Sequence, residues 1–291
     1  MKVLIDERVR QSDMRREIKV ICTDIDGTLL DKHRDISART REVIGKLPQG
    51  MPIILASSRM PSAMTYIQEK IGRPDHPLIC YNGGYVLDGV ETLDSVTIPL
   101  STCFKLVELA AGLDVHISLY AEDEWVAPVV DFWTKKEINA TRVQPILMGL
   151  HSALNRWGEK GKALHKVMCM GDAGQIEKLY QSYWEGFKDE LHLYRSKDTY
   201  IEIAPRSISK ASALEKLLSH KYGFSMHEVL AFGDNYNDVE LLKASGMGVA
   251  VDNANMEVKA SADEITDGNK ADGVANYIEK IMKLEPGIFE N

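Results

Sequence analysis

The sequence predicts an α/β fold: a doubly wound, Rossmann-like parallel-sheet core with an α+β domain inserted into it. Three observations carry that expectation. Short apolar runs alternate with helix-like segments over residues 18–81. That rhythm is lost between about 85 and 200, where helices mix with hairpin-like strands. It returns after Pro205 and continues to about residue 283. Alternating strands and helices imply right-handed crossovers and a parallel sheet covered on both faces.

Taken in order, Ile18 to Thr23 (IKVICT) is a short β-rich run ending in acids and reads as a buried strand. Ser37 to Leu47 reads as a helix with Ser37 as N-cap. Pro52 to Ser57 (PIILAS) is a second strand. Pro61 suits the first turn of a helix reaching about Ile71, and Gly72 suits its stop. Pro77 to Tyr81 (PLICY) is a third strand. A hairpin is then expected around Asp88-Gly89, pairing Tyr85–Val90 with Thr92–Ile98. Within the insert, helices are expected at 101–111, 131–140 and 174–187, and strands at 115–121, 125–130, 163–170, 189–194 and 199–204. The final third reads as a helix over 209–222, strand Val229–Phe232, helix 237–245 and strand Met247–Val251. A short helix near 256–260, a short strand near 263–266 and a last helix over 272–283 follow. The expected domains are therefore 1–84 with 201–291 as core, and 85–200 as insert, with 1–17 a loose N-terminal extension.

Composition narrows the function classes. The chain has 291 residues and a formal charge of −8, which argues against a general nucleic-acid binder with its basic face. A locally positive pocket for an anionic small molecule stays open. No apolar run reaches membrane-spanning length, and residues 1–17 lack the apolar stretch of a signal peptide. The cysteines Cys22, Cys80, Cys103 and Cys169 form no CxxC pair. They are read as buried free thiols of a reducing cytoplasm rather than as a zinc site or disulfide framework.

The chemistry gathers at strand ends. Asp24-Ile25-Asp26-Gly27-Thr28 closes the first strand. Ligands of open parallel sheets bind beyond the carboxyl ends of strands. Carboxylates two residues apart on a strand can address one ligand, and Gly27 allows a sharp turn after them. The plain alternative is an acidic turn with no further role.

With three further segments, this pattern resembles the haloacid dehalogenase superfamily of phosphatases, and most closely its Cof-type branch with a large α/β cap. The other segments are Ala56-Ser57-Ser58-Arg59, Ser207-Ile208-Ser209-Lys210 and Gly233-Asp234-Asn235-Tyr236-Asn237-Asp238, in that order. The resemblance spans residues 18 to 283. It implies that Asp24 attacks phosphorus and forms an aspartyl-phosphate, while Asp26 protonates the leaving oxygen and then activates water. Asp26 needs a proton for its first task, and crowding beside Asp24 is the expected source of a raised pKa.

Ser57 keeps the hydroxyl expected to bind the phosphoryl group, and Ser58 stands where the family usually has glycine. Arg59 is either a phosphate contact or a structural ion-pair partner. Lys210 is implied to bind both Asp24 and the phosphate, offsetting their repulsion. Ala211 replaces a usual glycine after it. The implied cofactor is Mg²⁺, held by Asp24, the main-chain carbonyl of Asp26, and Asp234. Asn237 is expected on the phosphate, and Asp238 behind these residues, with a helix-capping role as the plain reading of both.

Two weaker marks agree with the resemblance. Tyr81-Asn82-Gly83-Gly84 resembles the family's turn between core and cap, with Asn82 either a substrate contact or a turn residue. Gly246 to Asn255 and the later Thr266-Asp267-Gly268-Asn269 follow the family's C-terminal pattern, with Asp252 in place of a frequent glycine, and read as structural. In the insert, His116, Tyr120, Trp125 and Arg195 are candidate specificity residues, Phe132-Trp133 reads as cap core, and Glu202 as solvent-facing. The insert itself has a purpose as a lid that controls water.

The expected function is hydrolysis of small phosphorylated metabolites, sugar phosphates foremost, by a cytoplasmic monomer or homodimer without nucleic-acid or membrane partners. A phosphomutase of the same superfamily and a non-catalytic phosphometabolite-binding protein are the alternatives.

Overall fold

The computed structural model describes residues 18–284, so the expected N-terminal extension at 1–17 lies outside the described residues. The described chain divides into two compact units: residues 18–57, 67–77 and 210–284, and residues 58–66 and 78–209. The second takes in 58–66, 78–84 and 201–209 besides the expected insert at 85–200.

In the first unit, five strands lie in the order Glu264–Thr266, Met247–Val251, Val229–Gly233, Val20–Thr23, Ile53–Ala56. Every pairing among them is parallel. The three central strands are buried throughout, so they read as continuous apolar runs rather than alternating ones. Helices Ala38–Gly45 and Gly273–Met282 pack on each other, as do Lys210–Leu217, Val239–Ala244 and Met256–Ser261 in turn. This is the expected doubly wound core. From Val20–Thr23 the sheet extends to Ile53–Ala56 on one side and Val229–Gly233 on the other, so a switch point lies at the end of the first strand. The expected Ser37 cap forms, accepting the Thr40 N–H at 2.9 Å, and Asn255 caps a later helix by accepting the Val258 N–H at 3.0 Å.

In the second unit, Leu78–Cys80, Tyr85–Asp88 and Glu91–Ser95 form an antiparallel trio. A six-stranded sheet runs Leu191–Lys197, Tyr200–Pro205, Lys166–Gly171, Val115–Ala121, Glu124–Ala127, Ile146–Leu147. Only its last pair is parallel. Helices Leu100–Leu109, Leu150–Glu159 and Ala173–Phe187 contribute to its core through residues such as Leu106, Leu154, Trp157, Leu179 and Tyr183. This is the α+β cap.

Several elements differ from expectation. The helix Leu150–Glu159 carries an apolar face of Leu150, Ala153, Leu154 and Trp157 at i, i+3, i+4 and i+7, yet it begins at Gly149 with no side-chain cap. The strand expected to reach residue 130 stops at Ala127, because Pro128 has no N–H to offer a ladder. The helix expected over 209–222 is regular only through Leu217; a wider turn, Leu218–Tyr222, follows and ends at Gly223 with φ +66°. Phe132, expected in the cap core, is 68% exposed on the first turn of its helix, whereas Trp125 is buried. All four cysteines are buried and unpaired. Among the described residues no helix is long and apolar enough to cross a membrane.

Candidate active site

The carboxyl ends of Val20–Thr23 and Val229–Gly233 bring Asp24 and Asp234 together. Their strands are in direct register, Thr23 opposite Phe232, and the Asp24 N–H donates to the Phe232 carbonyl at 3.0 Å. After Asp24 the chain makes one wide turn, Ile25–Leu29, closed by the Leu30 N–H on the Ile25 carbonyl. Gly27 sits in it at φ +89°, and a Cβ there would lie 2.4 Å from Asp234 Oδ2. Glycine is thus needed both for the backbone and for room beside Asp234. Gly233 serves likewise: a Cβ would meet the Asp238 side chain at 2.4 Å.

Lys210, at the first position of its helix, is fully buried. Its ammonium donates to Asp24 Oδ1 at 2.6 Å and to Asp238 Oδ1 at 2.7 Å. The other Asp238 oxygen accepts the N–H groups of Asp234 at 3.0 Å and Asn235 at 3.1 Å, which fixes the turn carrying Asn237. Asp234 Oδ1 takes a hydrogen bond from Thr28 Oγ1 at 2.8 Å. Asp238 is therefore bound on both oxygens, while Lys210 holds one oxygen of Asp24 and Thr28 one oxygen of Asp234.

Burial pushes Asp24 well above the usual carboxylate range, opposed by Lys210 and reinforced by Asp238 and Asp234. Asp234 is pushed up to about 6 by burial, with Thr28 acting in the opposite sense. Burial alone would lower Lys210, but Asp238 and Asp24 outweigh it and hold the ammonium well above its ordinary range. One carboxylate oxygen from each of Asp24, Asp234 and Asp238 lies within 4.8 Å of the others. Three carboxylates against one ammonium leave an excess of negative charge in a buried place. An all-oxygen donor set with that excess fits a hard divalent cation such as Mg²⁺.

Ser57 is buried at the end of the strand beside the first, at the same end as Asp24. The carboxylate of Asp26 is 39% exposed and pairs with Arg34 Nη2 at 2.8 Å. A cation thus sits where the sequence led us to expect only crowding by Asp24. The turn is pinned from the C-terminal segments: Asn253 Nδ2 donates to the Gly27 carbonyl and Asn269 Nδ2 to the Leu30 carbonyl, both at 2.7 Å. Those segments were legible as structural, and this is the structure they hold. Asp252 pairs with Lys259 and is otherwise exposed.

Ser58, Arg59 and Asn82 fall in the second unit. The Arg59 guanidinium donates to the Ala63 carbonyl (2.9 Å), the Tyr66 hydroxyl (3.2 Å) and the Ala140 carbonyl (3.1 Å). These contacts tie Arg59 to two main-chain carbonyls and a hydroxyl. Asn82, in the left-handed region at φ +59°, donates to Glu202 Oε1 at 2.9 Å. Glu202 does not simply face solvent: burial raises its pKa, and the Ser58 and Asn82 side chains bind it.

Lys166 was missed in the sequence, although a lysine inside the apolar run HKVMCM was the available signal. It is 4% exposed, donates to the Ser58 carbonyl at 3.0 Å and lies 4.3 Å from the Tyr120 ring centroid. His116 bridges Asp131 (2.8 Å) and Ser118 (2.9 Å), an order resembling an acyl-transfer triad. However, Ser118 is wholly buried and also accepts the Trp125 indole N–H, so no substrate reaches it. Arg195 pairs with Glu177 and lies over Tyr180.

Comparison with known proteins agrees with this geometry. The sequence profile of the haloacid dehalogenase-like hydrolases matches residues 21–278. The chain belongs to that family. This hydrolase is 30% identical to the 5-amino-6-(5-phospho-D-ribitylamino)uracil phosphatase of Bacillus subtilis over 267 residues, covering 90% of this chain and 95% of the relative. It is 27% identical to the pyridoxal phosphate phosphatase of Escherichia coli over 266 residues, covering 89% and 97% respectively. Among solved structures, a haloacid dehalogenase-like hydrolase from Bacteroides thetaiotaomicron superposes with a TM-score of 0.83 at 30% identity, covering 91% of this chain and 100% of that one. The chain is a phosphatase of the haloacid dehalogenase superfamily, with the Cof-type plan of core and α/β cap.

Proposed function

We propose that this phosphatase is a Mg²⁺-dependent phosphomonoesterase for small phosphorylated metabolites, sugar phosphates foremost, working through an aspartyl-phosphate on Asp24. The observation that supports this best is the Lys210 ammonium set between Asp24 and Asp238 with Asp234 in the same cluster. A carboxylate oxygen of Asp24 attacks phosphorus while the ester oxygen leaves and takes a proton from Asp26. Water then attacks the aspartyl-phosphate, and Asp26 receives its proton. Lys210 holds Asp24 and offsets the repulsion between carboxylate and phosphate dianion. Ser57 and Asn237 bind phosphoryl oxygens.

The carboxylates of Asp24 and Asp234 and the carbonyl of Asp26 would hold Mg²⁺, with Asp238 supporting them. Bound there, the ion withdraws negative charge from the phosphoryl oxygens. Thr28 orients Asp234 for that task through its hydroxyl. Residues 85–200 act as the cap that selects the leaving group. The names of the two relatives add a pyrimidine ribityl phosphate and pyridoxal phosphate to the substrates worth testing.

The test is phosphate release from sugar phosphates, nucleotides, pyridoxal phosphate and the ribityl compound, with Mg²⁺ and with chelator, in wild type and Asp24→Asn. Turnover that needs Mg²⁺ and vanishes in the variant is the expected result. No release from any compound by folded protein would refute hydrolysis and favour a phosphomutase or a binding protein.

A further inference from the structure

We infer that Lys166 and Glu202 are positioning residues for the phosphoryl-binding loop: they hold the carbonyl and the hydroxyl of Ser58, and so fix the chain beside Ser57. This rests on the reading of Ser57 as a ligand of the phosphoryl group.

Ser58 opens the second unit, one peptide bond beyond Ser57, which ends a segment of the first. Two neighbouring strands of the six-stranded sheet supply its partners. Glu202 stands opposite Met168 in the register of Tyr200–Pro205 with Lys166–Gly171. Lys166 and Met168 are two positions apart on one strand, so Lys166 and Glu202 share a face of the sheet. The Lys166 ammonium donates to the Ser58 carbonyl at 3.0 Å, and the Glu202 carboxylate binds the Ser58 side chain. Asn82 Nδ2 holds Glu202 Oε1 at 2.9 Å. The next residue is fixed as well, since the Tyr81 N–H donates to the Arg59 carbonyl at 3.1 Å. Ser58 is thus gripped on its main chain and its side chain by two charged groups from one sheet face. A glycine at this position would give Glu202 nothing to hold.

Stability does not account for the arrangement. Lys166 is 4% exposed, yet its ammonium bonds a neutral carbonyl and lies 4.3 Å from the Tyr120 ring centroid and 5.8 Å from that of Tyr81. Glu202 attracts it, but burial acts against the charge on Glu202 too. Burying such charges is costly, and well-packed apolar side chains serve stability as well or better. Charges placed at that cost on the residue next to a phosphoryl ligand do the work of a supporting shell, which holds a binding group in its productive place. Small displacements of such a group are expensive in rate.

A double-mutant cycle separates this from unconnected structural roles. With the best substrate of the panel above and saturating Mg²⁺, kcat, KM and inhibition by inorganic phosphate would be measured per folded protein. The variants are Ser57→Ala, Ser58→Ala, Ser58→Thr, Lys166→Met, Glu202→Ala, Glu202→Gln, and Ser58→Ala combined with each Glu202 change. Ser58→Ala and Glu202→Ala are each expected to lower kcat and weaken phosphate inhibition about tenfold. The double variant should lose no more than either alone, because both remove one contact. Lys166→Met should lose at least as much. Ser58→Thr, which keeps the hydroxyl, should recover most of the loss, and Glu202→Gln, which still accepts a hydrogen bond, part of it. Losses that multiply in the double variants, a rise in KM with kcat and phosphate inhibition unchanged, or wild-type kinetics in Lys166→Met would overturn the inference while the loss in Ser57→Ala kept the role of Ser57 standing. Wild-type turnover and phosphate inhibition in Ser57→Ala would remove both.

Discussion

Replacing Lys210 by methionine removes the one cation buried among three carboxylates while keeping nearly the same side-chain volume. Its ammonium lies 2.6 Å from Asp24 and 2.7 Å from Asp238 and is fully buried. At an effective dielectric of 20, each attraction is about 6 kcal/mol before desolvation is counted. Broken buried pairs of this kind cost about 3–5 kcal/mol net, because a charge is left without a partner. The loss must depend on pH. Burial already raises Asp24 well above its ordinary range, and Lys210 is the chief opposing influence. Without it the folded variant binds a proton more tightly than the unfolded chain does, so its stability falls as pH rises above the ordinary carboxylate range. Urea unfolding in chelator at pH 5 and pH 8, compared with wild type, checks this. The expected deficit is larger at pH 8 and smaller at pH 5, where Asp24 takes up a proton. A deficit below about 1 kcal/mol at pH 8 would refute the view that Lys210 neutralises a buried carboxylate cluster. Phosphate release should fall about 10²–10³-fold in the same variant.

Gly27→Ala would set a Cβ 2.4 Å from Asp234 Oδ2 at φ +89°, so the Mg²⁺ concentration for half-maximal activity should rise severalfold. The protein should also lose about 1–2 kcal/mol of stability; an unchanged Mg²⁺ titration would count against Asp234 as a metal ligand. His165 is buried, accepts the Glu122 N–H on Nδ1 and meets Ser95 through Nε2, and burial pushes its pKa down to about 4 from 6.5. The unfolded chain therefore binds more protons between these values, and stability is complete above about pH 6.5 and lost as pH falls toward 4. Between pH 8 and pH 5 this amounts to about 2 kcal/mol, and His165→Gln should flatten that part of the wild-type slope in chemical unfolding. An identical slope in the variant would show that His165 charges without penalty.

Much of the core was legible in the sequence because its signals are local. A buried parallel strand is a largely apolar run, and VICT, IILA and VLAF are that. Asp24 and Asp26 stood out because the end of a strand is where such a sheet offers chemistry, whereas Lys210, Asp234 and Asp238 were singled out through the family resemblance. The helix Leu150–Glu159 was lost because it starts at Gly149 without a capping side chain, although its apolar spacing was regular. Phe132 was misplaced because aromatic character says nothing about which side of a first helical turn faces out.

What the sequence determined by itself is the chemical kit of carboxylates, lysine and hydroxyl on offer, and the alternation of strands and helices that makes a parallel core. The tertiary structure decided their pairing. Lys210 meets Asp24 across 186 positions of chain, and Thr28 meets Asp234 across 206. Asn253 and Asn269 hold the turn after Asp24 from the far end of the sequence. Lys166 is committed to the Ser58 carbonyl, and Arg34 to one oxygen of Asp26. Residue type and local spacing fix what a side chain is able to do. Its partner, and the direction its pKa moves, depend on distances of a few ångströms and on water excluded by distant segments, which only the folded chain sets.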